Sequence, residues 1–531
     1  MKRTVWMVML IFAIGIGGLG GWTDQAPKAA ADAETARLKL MTFNVRNLNG
    51  DNGTVNSWDN RKERAVRAID TFGPDIIGMQ EAYAVQIDYF VSHLNGTYES
   101  VGTSRQGNKS DEYSNIVYRT DKFNVIEAGQ FWLSQTPEVE GSRYSEADKW
   151  PRICTWAKFQ AKNNPRTVFY YFNTHYSLDA ASRALSSQLI LDRVGQIVPS
   201  SDTPVFIGGD FNAPETEAAF TTLEQSDFND MWLQKGHSLV NASTVSNYNG
   251  NTSGHHIDWI FHRGASAIQS IEINYYNENG LYPSDHYPVQ AVVDIPVTGK
   301  ALAGGYVNVA RQGTATADGY VSAEPPSKAI DGTVLNNSKW CATGAEPHWL
   351  RIDLGERHNL YRFVVKHAGA GGENRKINTR NFVIQVSDNG TSWTDVSAVS
   401  GNTNDITLHE VNTLGRYIRV YITDAGNLST DTAARIFELE AYGLKKGAVF
   451  YKDGSYGGYA VTLAPGSYTL AQLQQAGIQN DEITSLRVFG GATVELYEHD
   501  HFLGNMMVRT ANDSSLTPEG WSDITSSIKV Y

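Results

Sequence analysis

Residues 203–212 read TPVFIGGDFN, a short apolar run that ends in an acidic residue and an amide. The run Val205–Ile207 is typical of a buried strand, and Asp210 and Asn212 would stand at the carboxyl end of that strand. In layered α/β folds, ligands bind at the carboxyl ends of strands, so these two side chains are candidate site residues. A GDFN sequence on its own, however, is more often a simple turn.

The same pattern recurs through residues 38–297, where short apolar runs carry a polar residue at or near one end. The runs are LKLMTFNV with Asn44, PDIIGMQE with Glu81, TVFYYFNTH with His175, HHIDWIF with Asp258, and DHYPVQAVVDI, which opens with Asp285 and His286. Between the first two runs, Ser57 can cap a helix through Phe72, whose apolar face is Ala65, Ile69 and Phe72. The alternation of strands and helices predicts an α/β domain whose polar strand ends converge on one crevice.

The chemistry of these polar residues favours a site for a hard divalent cation. Carboxylates and an Asn carboxamide suit Mg²⁺ or Mn²⁺, and Asp258 and His286 could form a pair that activates water beside such an ion. Zinc is disfavoured because the chain has no HExxH or CxxC spacing, and a serine esterase because it has no Gly-x-Ser-x-Gly. Singly, Glu81 could be a surface charge and His175 a core histidine. Their occurrence together in one order favours a site.

The ordered set TFNVR, MQE, NTH, GGDFN, HIDWIF and SDHYPV resembles the endonuclease/exonuclease/phosphatase superfamily over about residues 38–296. That superfamily includes deoxyribonucleases, abasic-site endonucleases, inositol-phosphate phosphatases and bacterial sphingomyelinases. The resemblance implies a four-layer α/β sandwich and metal-dependent hydrolysis of a phosphoester, although it does not name the substrate. The stretches FWLSQTP and PRICTWAKF look like a secreted or cell-surface bacterial branch.

The resemblance also implies roles for the metal ligands and the general base. Glu81 would ligate Mg²⁺, with Asn44 beside it and Asp285 near the metal, directly or through water. His286 would be the general base, polarised by Asp258.

Further roles follow from the same resemblance. Asp210 and Asn212 would orient the attacking water and hold the phosphoryl oxygens. His175 matches the position that contacts phosphate or protonates the leaving group, and Glu112, in DEYSNIVYR, is the candidate for its orienting carboxylate. Arg152 could reach a substrate phosphate, although a structural ion pair is the more frequent role for such an arginine.

A small, flexible stretch at residues 298–305 (TGKALAGG) reads as a linker, and convincing helices are not predicted beyond it. Residues 306–443 resemble the discoidin, or coagulation-factor C-type, domain and family 32 carbohydrate-binding modules through AIDG, KWCA, HWLRIDLG, FVIQVSDNGTSW, GRYIRVYIT and FELEAYG. The resemblance implies a jelly-roll, a structural Ca²⁺ held by Asp331 and Glu440, and a glycan partner. The side chains that could line a sugar-binding loop end are Trp340, His367 and Arg375, with core packing the alternative for Trp340.

Residues 447–531 contain an internal repeat of the form Tyr-x-x-x-x-aromatic-x-Gly, at Tyr451 and at Tyr497. This segment resembles a βγ-crystallin domain of two Greek-key motifs. Its two calcium motifs are NDEITS and SDITSS, whose candidate Ca²⁺ ligands are Asn480, Asp481 and Ser485 in the first, and Asp523 and Ser526 in the second. The second motif begins with Ser522 where the family has Asn or Asp, so weaker binding is expected there.

The amino terminus predicts export. Lys2 and Arg3 precede an apolar run and an Ala-rich exit, which together indicate a secretory signal peptide over residues 1–31. An uncleaved anchor helix is the alternative, since the run is nearly long enough to span a bilayer. We expect a secreted, extracellular protein with no transmembrane anchor after cleavage. The two cysteines, Cys154 and Cys341, fall in separate predicted domains and are expected to be free and buried.

Charge restricts the partners. The chain has 44 Lys+Arg and 57 Asp+Glu, a net charge of −13, so any contact with phosphate must come from a local site or a metal. The leading hypothesis is a secreted Mg²⁺-dependent (or Mn²⁺-dependent) phosphoesterase that prefers diesters to monoesters, acting for example on a phosphorylated glycan or cell-wall polymer. An extracellular nuclease is less favoured because no basic stripe is evident. Two further hypotheses are a sphingomyelinase-like phospholipase and a carbohydrate-binding adhesin without activity.

Overall fold

The computed structural model describes residues 35–107, 109–297, 306–426, 428 and 431–531. The predicted signal peptide and linker therefore lie outside the described residues. Within the described ranges, no helix is both long enough and apolar enough to cross a membrane.

The first domain consists of two packed sheets with helices on both outer faces. One sheet has six strands, and the other contributes six strands to a 13-stranded sheet that continues into the second domain. Its strands are β1 (Thr35–Asn44), β2 (Ile76–Gln80), β3 (Tyr98–Val101), β4 (Ile116–Arg119), β5 (Phe123–Trp132), β6 (Ile153–Ala161), β7 (Val168–His175), β8 (Val205–Asp210), β9 (Asn229–Asp230), β10 (Asp258–Arg263), β11 (Ala267–Ile273) and β12 (Val289–Pro296). Its helices are α1 (Trp58–Asp70), α2 (Ala84–His93), α3 (Ala180–Ile197), α4 (Ala218–Glu224) and α5 (Met231–Gln234). The sheet orders are β11-β12-β1-β2-β4-β3 and β5-β6-β7-β8-β10-β9.

Alternation along β1 explains the layering, because successive side chains of a strand point to opposite faces. Leu38 and Leu40 belong to the apolar core shared with the second sheet, whereas Met41 and Phe43 belong to the core shared with α1 and α2. The predicted helix forms as α1 and buries Ala65 and Ile69, but it ends at Asp70, so the half-buried Phe72 lies beyond it, and the Ser57 side chain makes no capping hydrogen bond. Helices α3 and α4 cover the second sheet.

Strand register brings the polar residues together. The parallel pair β1–β2 ends with Asn44 opposite Gln80, and the parallel pair β7–β8 ends with His175 opposite Asp210. Strand β10 is antiparallel to β8 and begins with Asp258, which also lies opposite Asp210. Residues 285–286 directly precede β12, which runs antiparallel to β1, so they reach the same edge of the sandwich.

Two glycines allow the sheets to approach each other beneath this edge. A Cβ at Gly208 would lie 2.3 Å from the Tyr171 hydroxyl oxygen, and one at Gly78 would lie 2.5 Å from Asn173 Oδ1. The side-chain amides of Asn173 and Gln80 fill this space between the sheets. Asn173 Nδ2 donates to the Met79 carbonyl at 2.8 Å, and Gln80 Nε2 donates to Asn173 Oδ1 at 2.7 Å. Hydrogen bonds therefore join the sheets directly below the strand ends.

The second domain is all β, with two long strands that pair along most of their length. Its strands are β13 (Val307–Asn308), β14 (Thr314–Ala317), β15 (Trp340–Ala342), β16 (His348–Lys366), β17 (Asn381–Ser387), β18 (Thr394–Val399), β19 (Ile406–Asp424), β20 (Ala434–Ile436) and β21 (Glu438–Leu444). Short 3₁₀ helices lie at Val309–Gln312, Pro326–Ala329, Leu335–Asn337, Ala368–Gly371 and Arg375–Ile377. Strands β16 and β19 are antiparallel and surround a core that includes Leu350, Phe363 and Ile418.

The third domain has two small sheets that face each other. Its strands are β22 (Gly447–Asp453), β23 (Gly457–Leu463), β24 (Gly466–Tyr468), β25 (Ser485–Phe489), β26 (Val494–His499), β27 (Leu503–Arg509) and β28 (Ser527–Val530). Helix α6 covers Leu470–Ala476, and short 3₁₀ helices lie at Gly454–Tyr456, Asp500–Phe502 and Thr517–Glu519. The sheet orders are β23-β22-β25 and β24-β28-β26-β27, so β24 crosses to the other sheet, as in interlocked Greek keys. The predicted fold class, an α/β four-layer sandwich followed by jelly-roll and double Greek-key domains, is confirmed.

The first and second domains share a packed interface. Val364 and Ile406 of the second domain belong to the apolar core of the first, and Ile406 pairs with Ala128 across β19 and β5. The Arg375 guanidinium donates to the Gln130 carbonyl oxygen and forms an ion pair of 2.8 Å with the buried Asp405 carboxylate.

This packing corrects the expectation that Trp340, His367 and Arg375 line a sugar-binding loop end. Trp340 is fully buried and its Nε1 donates to the Gly319 carbonyl at 2.9 Å. His367 is fully buried as well, and Arg375 is used at the domain interface. Their side chains serve the core and the interface.

We expect Arg375→Ala to lower the free energy of unfolding by about 3 kcal/mol, because it leaves the Asp405 carboxylate buried without its cation. Chemical denaturation measures this loss, and faster amide exchange at Gln130 and its neighbours would locate it at the interface. Arg357→Ala is the matched control, since its ion pair with Asp388 is exposed and is expected to contribute less than about 1 kcal/mol. Equal losses for the two variants would contradict the described interface.

Candidate active site

A buried histidine and two aspartates form the centre of the candidate site. Ligand atoms of Asp210, Asp258 and His286 all lie within 4.8 Å of one another. His286 Nδ1 is 2.9 Å from Asp258 Oδ2, while His286 Nε2 is 3.8 Å from Asp210 Oδ2. An Nδ1–H that donates to Asp258 leaves Nε2 as the basic nitrogen, directed towards Asp210.

Asp210 lies at the meeting point of the strand ends. Its Oδ2 accepts a hydrogen bond of 3.0 Å from Asn44 Nδ2 and lies 3.6 Å from His175 Nε2. Its Oδ1 accepts a bond of 2.9 Å from the Asn212 backbone N–H, and Asn212 Nδ2 donates to the Tyr176 carbonyl at 3.1 Å. Asn44 and Asn212 are therefore hydrogen-bonded to Asp210, while His175 and the Asp258–His286 pair lie within ion-pair distance of it, and together these residues form one polar unit.

Glu81 joins the unit through an unusual backbone conformation. Its φ is +63°, in the left-handed region that non-glycine residues rarely adopt, and such strain is common at functional positions. The turn brings Glu81 Oε1 to 3.1 Å from Asn44 Nδ2. Its Oε2 accepts bonds of 3.0 and 3.1 Å from the backbone and side chain of Asn47, respectively.

Burial and neighbouring charges shift the pKa values of the residues in this unit. Burial disfavours an ionised Glu81, but the Asn44 hydrogen bond and the charges of His286 and Arg46 outweigh it and lower the Glu81 pKa. Burial likewise opposes protonation of His286, yet the Asp258 and Asp210 carboxylates raise its pKa well above the usual range. Burial and Asp258 raise the pKa of Asp210. Since burial and Arg152 lower the pKa of His175 well below its usual range, this imidazole is neutral.

Asp285 lies beside this unit, in contact with a cation. Its Oδ2 is 3.4 Å from Arg46 Nη1, and its Oδ1 accepts a bond of 3.2 Å from the Ser284 hydroxyl. The described residues thus pair Asp285 with Arg46, and its predicted role near a metal stays a prediction.

Glu112 does not orient His175. Its Oε2 lies 2.6 Å from Arg105 Nη1, its Oε1 lies 3.5 Å from Asn47 Nδ2, and within the described residues no hydrogen bond joins it to His175. The Glu112 carboxylate is therefore paired with Arg105 instead of His175. Burial raises the pKa of Glu112 to about 7.

Arg152 has no carboxylate within ion-pair distance among the described residues, which disagrees with the structural ion pair considered from the sequence. It lines a narrow cleft together with His175, Arg105 and Glu112. Its charge is within electrostatic range of Asp210, so its guanidinium is available to an anion at the site.

Asn47 and Arg105 were not identified from the sequence. Asn47 follows Asn44 by three residues, and this spacing beyond the end of β1 was the available signal for it. Arg105 lies in a turn between β3 and β4, where its pairing with Glu112 depends on tertiary contacts alone.

The donor set fits Mg²⁺ or Mn²⁺. Glu81 and Asp210 supply carboxylate oxygens, which these ions prefer, and Asn44 lies beside both, with its Nδ2 donating to them at 3.1 and 3.0 Å. Asp258 Oδ1 is buried without a hydrogen-bond partner among the described residues, and the site carries more carboxylates than cations. A bound divalent ion would supply charge neutralisation for a phosphoryl group.

In the third domain, each of the two calcium motifs contacts the other. Asp481 and Asp523 both have left-handed φ values, of +55° and +60°. Ser526 Oγ donates to Asp481 Oδ1 at 3.4 Å, and Thr484 Oγ1 donates to Asp523 Oδ1 at 3.2 Å, so the acid of each motif faces the hydroxyl of the other. Asn480 Nδ2 donates to Asp481 Oδ2 at 2.7 Å.

Ser485 is not part of this arrangement, contrary to the sequence prediction. It is fully buried, and its hydroxyl donates to the Asp453 carbonyl at 2.6 Å and accepts from the Tyr456 N–H at 3.2 Å. Its neighbour Thr484 supplies the hydroxyl beside Asp523, because successive strand residues point to opposite faces.

The structure does not bring Asp331 and Glu440 together as a calcium site. Glu440 Oε1 is 3.0 Å from Lys366 Nζ, and Glu440 Oε2 accepts a bond of 2.8 Å from the Tyr442 hydroxyl. The glutamate beside Asp331 is Glu438, whose Oε1 accepts from the Gly332 N–H at 2.5 Å. The half-buried Lys366 thus forms an ion pair with Glu440, whereas Glu438 bonds the loop that contains Asp331.

Comparison with known proteins identifies the domains. Residues 41–286 match the Endonuclease/Exonuclease/phosphatase family, and residues 312–439 match the F5/8 type C domain. The chain is 26% identical over 197 residues to uncharacterized protein L388 of Acanthamoeba polyphaga mimivirus, a match that covers 36% of this chain and 72% of that protein.

Two solved structures are also similar to parts of the chain. A mannosyl-6-phosphatase from Bacteroides thetaiotaomicron is 28% identical, with 48% of this chain and 98% of that one covered and a TM-score of 0.43. A mutant βγ-crystallin domain from Clostridium beijerinckii is 43% identical, with 16% of this chain and 98% of that one covered and a TM-score of 0.16. By the family models, residues 41–286 form a domain of the Endonuclease/Exonuclease/phosphatase family, a family of hydrolases, and residues 312–439 form an F5/8 type C domain. The third domain is similar in sequence to the βγ-crystallin domain.

We expect Ca²⁺ to raise the thermal unfolding midpoint of the third domain, since a ligand that binds only the folded state stabilises it. Asp481→Asn and Asp523→Asn should lose much of this response, which calorimetry with and without Ca²⁺ measures. Ser485→Ala should lower the midpoint by a similar amount in both conditions, because its hydroxyl bonds the Asp453 carbonyl. Loss of the Ca²⁺ response in Ser485→Ala, with full retention in Asp523→Asn, would contradict the described arrangement.

Proposed function

We propose that the protein is a secreted phosphoric ester hydrolase that depends on Mg²⁺ or Mn²⁺, and that it prefers phosphodiesters to monoesters. The observation that carries this proposal is the buried Asp258–His286 pair, in which His286 Nε2 faces away from Asp258 and lies 3.8 Å from Asp210 Oδ2. A histidine oriented by a carboxylate and directed towards a set of oxygen donors is suited to activate water for attack on phosphorus.

Each residue of the site has its own role in such a reaction. In its neutral form, His286 takes a proton from the attacking water at Nε2, and the Asp258 carboxylate 2.9 Å from Nδ1 stabilises the imidazolium that forms. The positive charge of a bound divalent cation would favour this neutral form, because it would lower the His286 pKa that the Asp258 and Asp210 carboxylates raise. Asp210 accepts a hydrogen bond from the water and orients it. The neutral His175 suits hydrogen bonding to a phosphoryl oxygen better than proton donation, because its pKa is lowered well below the usual range. A bound divalent cation would offset the negative charge of the phosphoryl group.

The local charge favours a diester. A phosphodiester carries one negative charge and a monoester carries up to two, and the site already holds the carboxylates of Glu81, Asp210, Asp258 and Asp285. Arg46 is engaged by Asp51 and Asp285, whereas Arg152 has no ion-pair partner among the described residues. One available guanidinium matches the single charge of a diester.

A phosphorylated glycan or cell-wall polymer is the proposed substrate. The predicted signal peptide supports export, and the F5/8 type C domain is of a carbohydrate-binding type, which would hold the enzyme near glycans. The net charge of −13 weighs against a nucleic acid, which would bring many phosphates towards an acidic surface.

An assay series tests the proposal on the purified protein with Mg²⁺, Mn²⁺ or EDTA. The substrates are bis-p-nitrophenyl phosphate, p-nitrophenyl phosphate, DNA, RNA and sphingomyelin. We expect turnover of the diester that EDTA abolishes and Mg²⁺ restores. Glu81→Gln and His286→Ala should lower kcat by at least about 100-fold, the usual range for loss of general-base catalysis.

The matched controls are Glu272→Gln and His237→Ala, which change exposed residues of the same domain and should leave kcat near the wild-type value. A fall in kcat of less than about tenfold, or about 1.4 kcal/mol of barrier, for Glu81→Gln and His286→Ala would refute the assigned roles. Strong preference for DNA or RNA would establish the nuclease hypothesis, and absence of turnover would favour the adhesin.

A further inference from the structure

A cavity of about 440 Å³ lies next to the candidate active site. Its lining includes Asn47, Tyr83, Arg105, Asp111, Glu112 and Trp150. This volume is in the range of sites that bind small organic molecules. None of the roles assigned so far uses the cavity.

The cavity is joined to the reaction site through Asn47. The Asn47 side chain donates to Glu81 Oε2 at 3.1 Å and lies 3.5 Å from Glu112 Oε1. A phosphoryl group held beside Glu81 would therefore lie next to the cavity, within reach of one of its ester substituents. The cavity is placed to receive the group that is bonded to the phosphate.

Trp150 provides a fixed aromatic face in this cavity. The side chain is 44% exposed, and the Arg105 guanidinium lies over its ring at 5.0 Å from the centroid. Arg105 is itself held by Asp111 at 3.0 Å and Glu112 at 2.6 Å, and its carbonyl accepts a bond of 2.8 Å from Trp132 Nε1. Lys149 Nζ also lies over the ring, 5.5 Å from the centroid, and the indole nevertheless remains partly exposed at the cavity.

The charge of the lining selects against polyanions. Arg105 is engaged by both carboxylates, so the cavity presents Asp111 and Glu112 without a spare cation from Arg105. The backbone of a nucleic acid would place further phosphates against these acids. An acyl chain would need an apolar lining, whereas Asn47, Asp111 and Glu112 are hydrogen-bonding groups.

We propose that this cavity, with Trp150 as its platform, binds a sugar ring bonded to the scissile phosphate. A pyranose offers an apolar C–H face to stack on the indole and hydroxyl groups that donate to the carboxylates of Asp111 and Glu112. The proposal deepens the proposed function, on which it rests, by assigning the recognition of the glycan to this cavity of the first domain.

Paired substrates test the proposal in the full-length protein. The sugar probe is the methyl phosphodiester of a hexose 6-phosphate, and its ring-free counterpart is the methyl phosphodiester of glycerol 3-phosphate. For Trp150→Ala, we expect the ratio of kcat/KM values, sugar over glycerol, to fall at least tenfold. Trp150→Phe should restore much of this ratio, because it keeps an aromatic face.

Trp393→Ala is the matched control, since Trp393 also stacks on an arginine, Arg419 at 4.2 Å, but lies in the second domain. It should leave the ratio unchanged. An unchanged ratio in Trp150→Ala, or an equal fall in Trp393→Ala, would overturn the proposal. A thymidine dinucleotide that is hydrolysed faster than the sugar probe, with this advantage lost in Trp150→Ala, would overturn it in favour of a nucleobase.

A binding measurement separates this proposal from the proposed function. Saturation-transfer NMR with the same sugar diester, in EDTA so that turnover is prevented, should show weaker ring contacts for Trp150→Ala than for wild type. If the wild type hydrolyses neither probe but shows this difference in binding, the proposed function fails and the sugar cavity stands. Hydrolysis of both probes with identical binding by the two proteins would overturn the cavity alone.

Discussion

The register of two parallel strand pairs is the constraint on which the site depends. Parallel pairing places the carboxyl ends of β1 and β2 side by side, and those of β7 and β8 side by side, so Asn44, His175 and Asp210 reach one edge. The sheets are held at this edge by the amides of Gln80 and Asn173, in the space left by Gly78. A shift of one residue in either pair would turn these polar side chains to the opposite face.

The site is supported from the second domain as well as from within the first. Arg375 donates to the Gln130 carbonyl and lies 5.9 Å from the ring centroid of Trp132, and Trp132 Nε1 bonds the Arg105 carbonyl. Arg105 in turn holds Glu112 at the edge of the active site. A continuous set of contacts therefore joins the F5/8 type C domain to the turn that lines the cavity beside Glu112, so the second domain supports this part of the first.

The fold class and the strand ends could be predicted from the sequence because both depend on local patterns of apolar and polar residues. Apolar runs that end in Asn44, Glu81, His175 and Asp210 are visible without tertiary information. The partners of Glu112 and Asp285 were not visible, because Arg105 and Arg46 approach them through loop geometry. The sequence also did not show which glutamate lies beside Asp331. Glu438 and Glu440 are on the same face of β21, and only the structure shows that Lys366 pairs with Glu440 and that Glu438 bonds the Gly332 N–H.

The proposed reaction depends on the carboxylates of Glu81 and Asp210 holding one divalent cation, with Asn44 and His286 beside it. Anomalous diffraction from crystals of the protein soaked in Mn²⁺ tests it directly. The account predicts a peak in the first domain at coordination distance, about 2.1 Å, from a Glu81 carboxylate oxygen. Mn²⁺ bound elsewhere in that domain, with no peak within about 5 Å of Glu81, would contradict it.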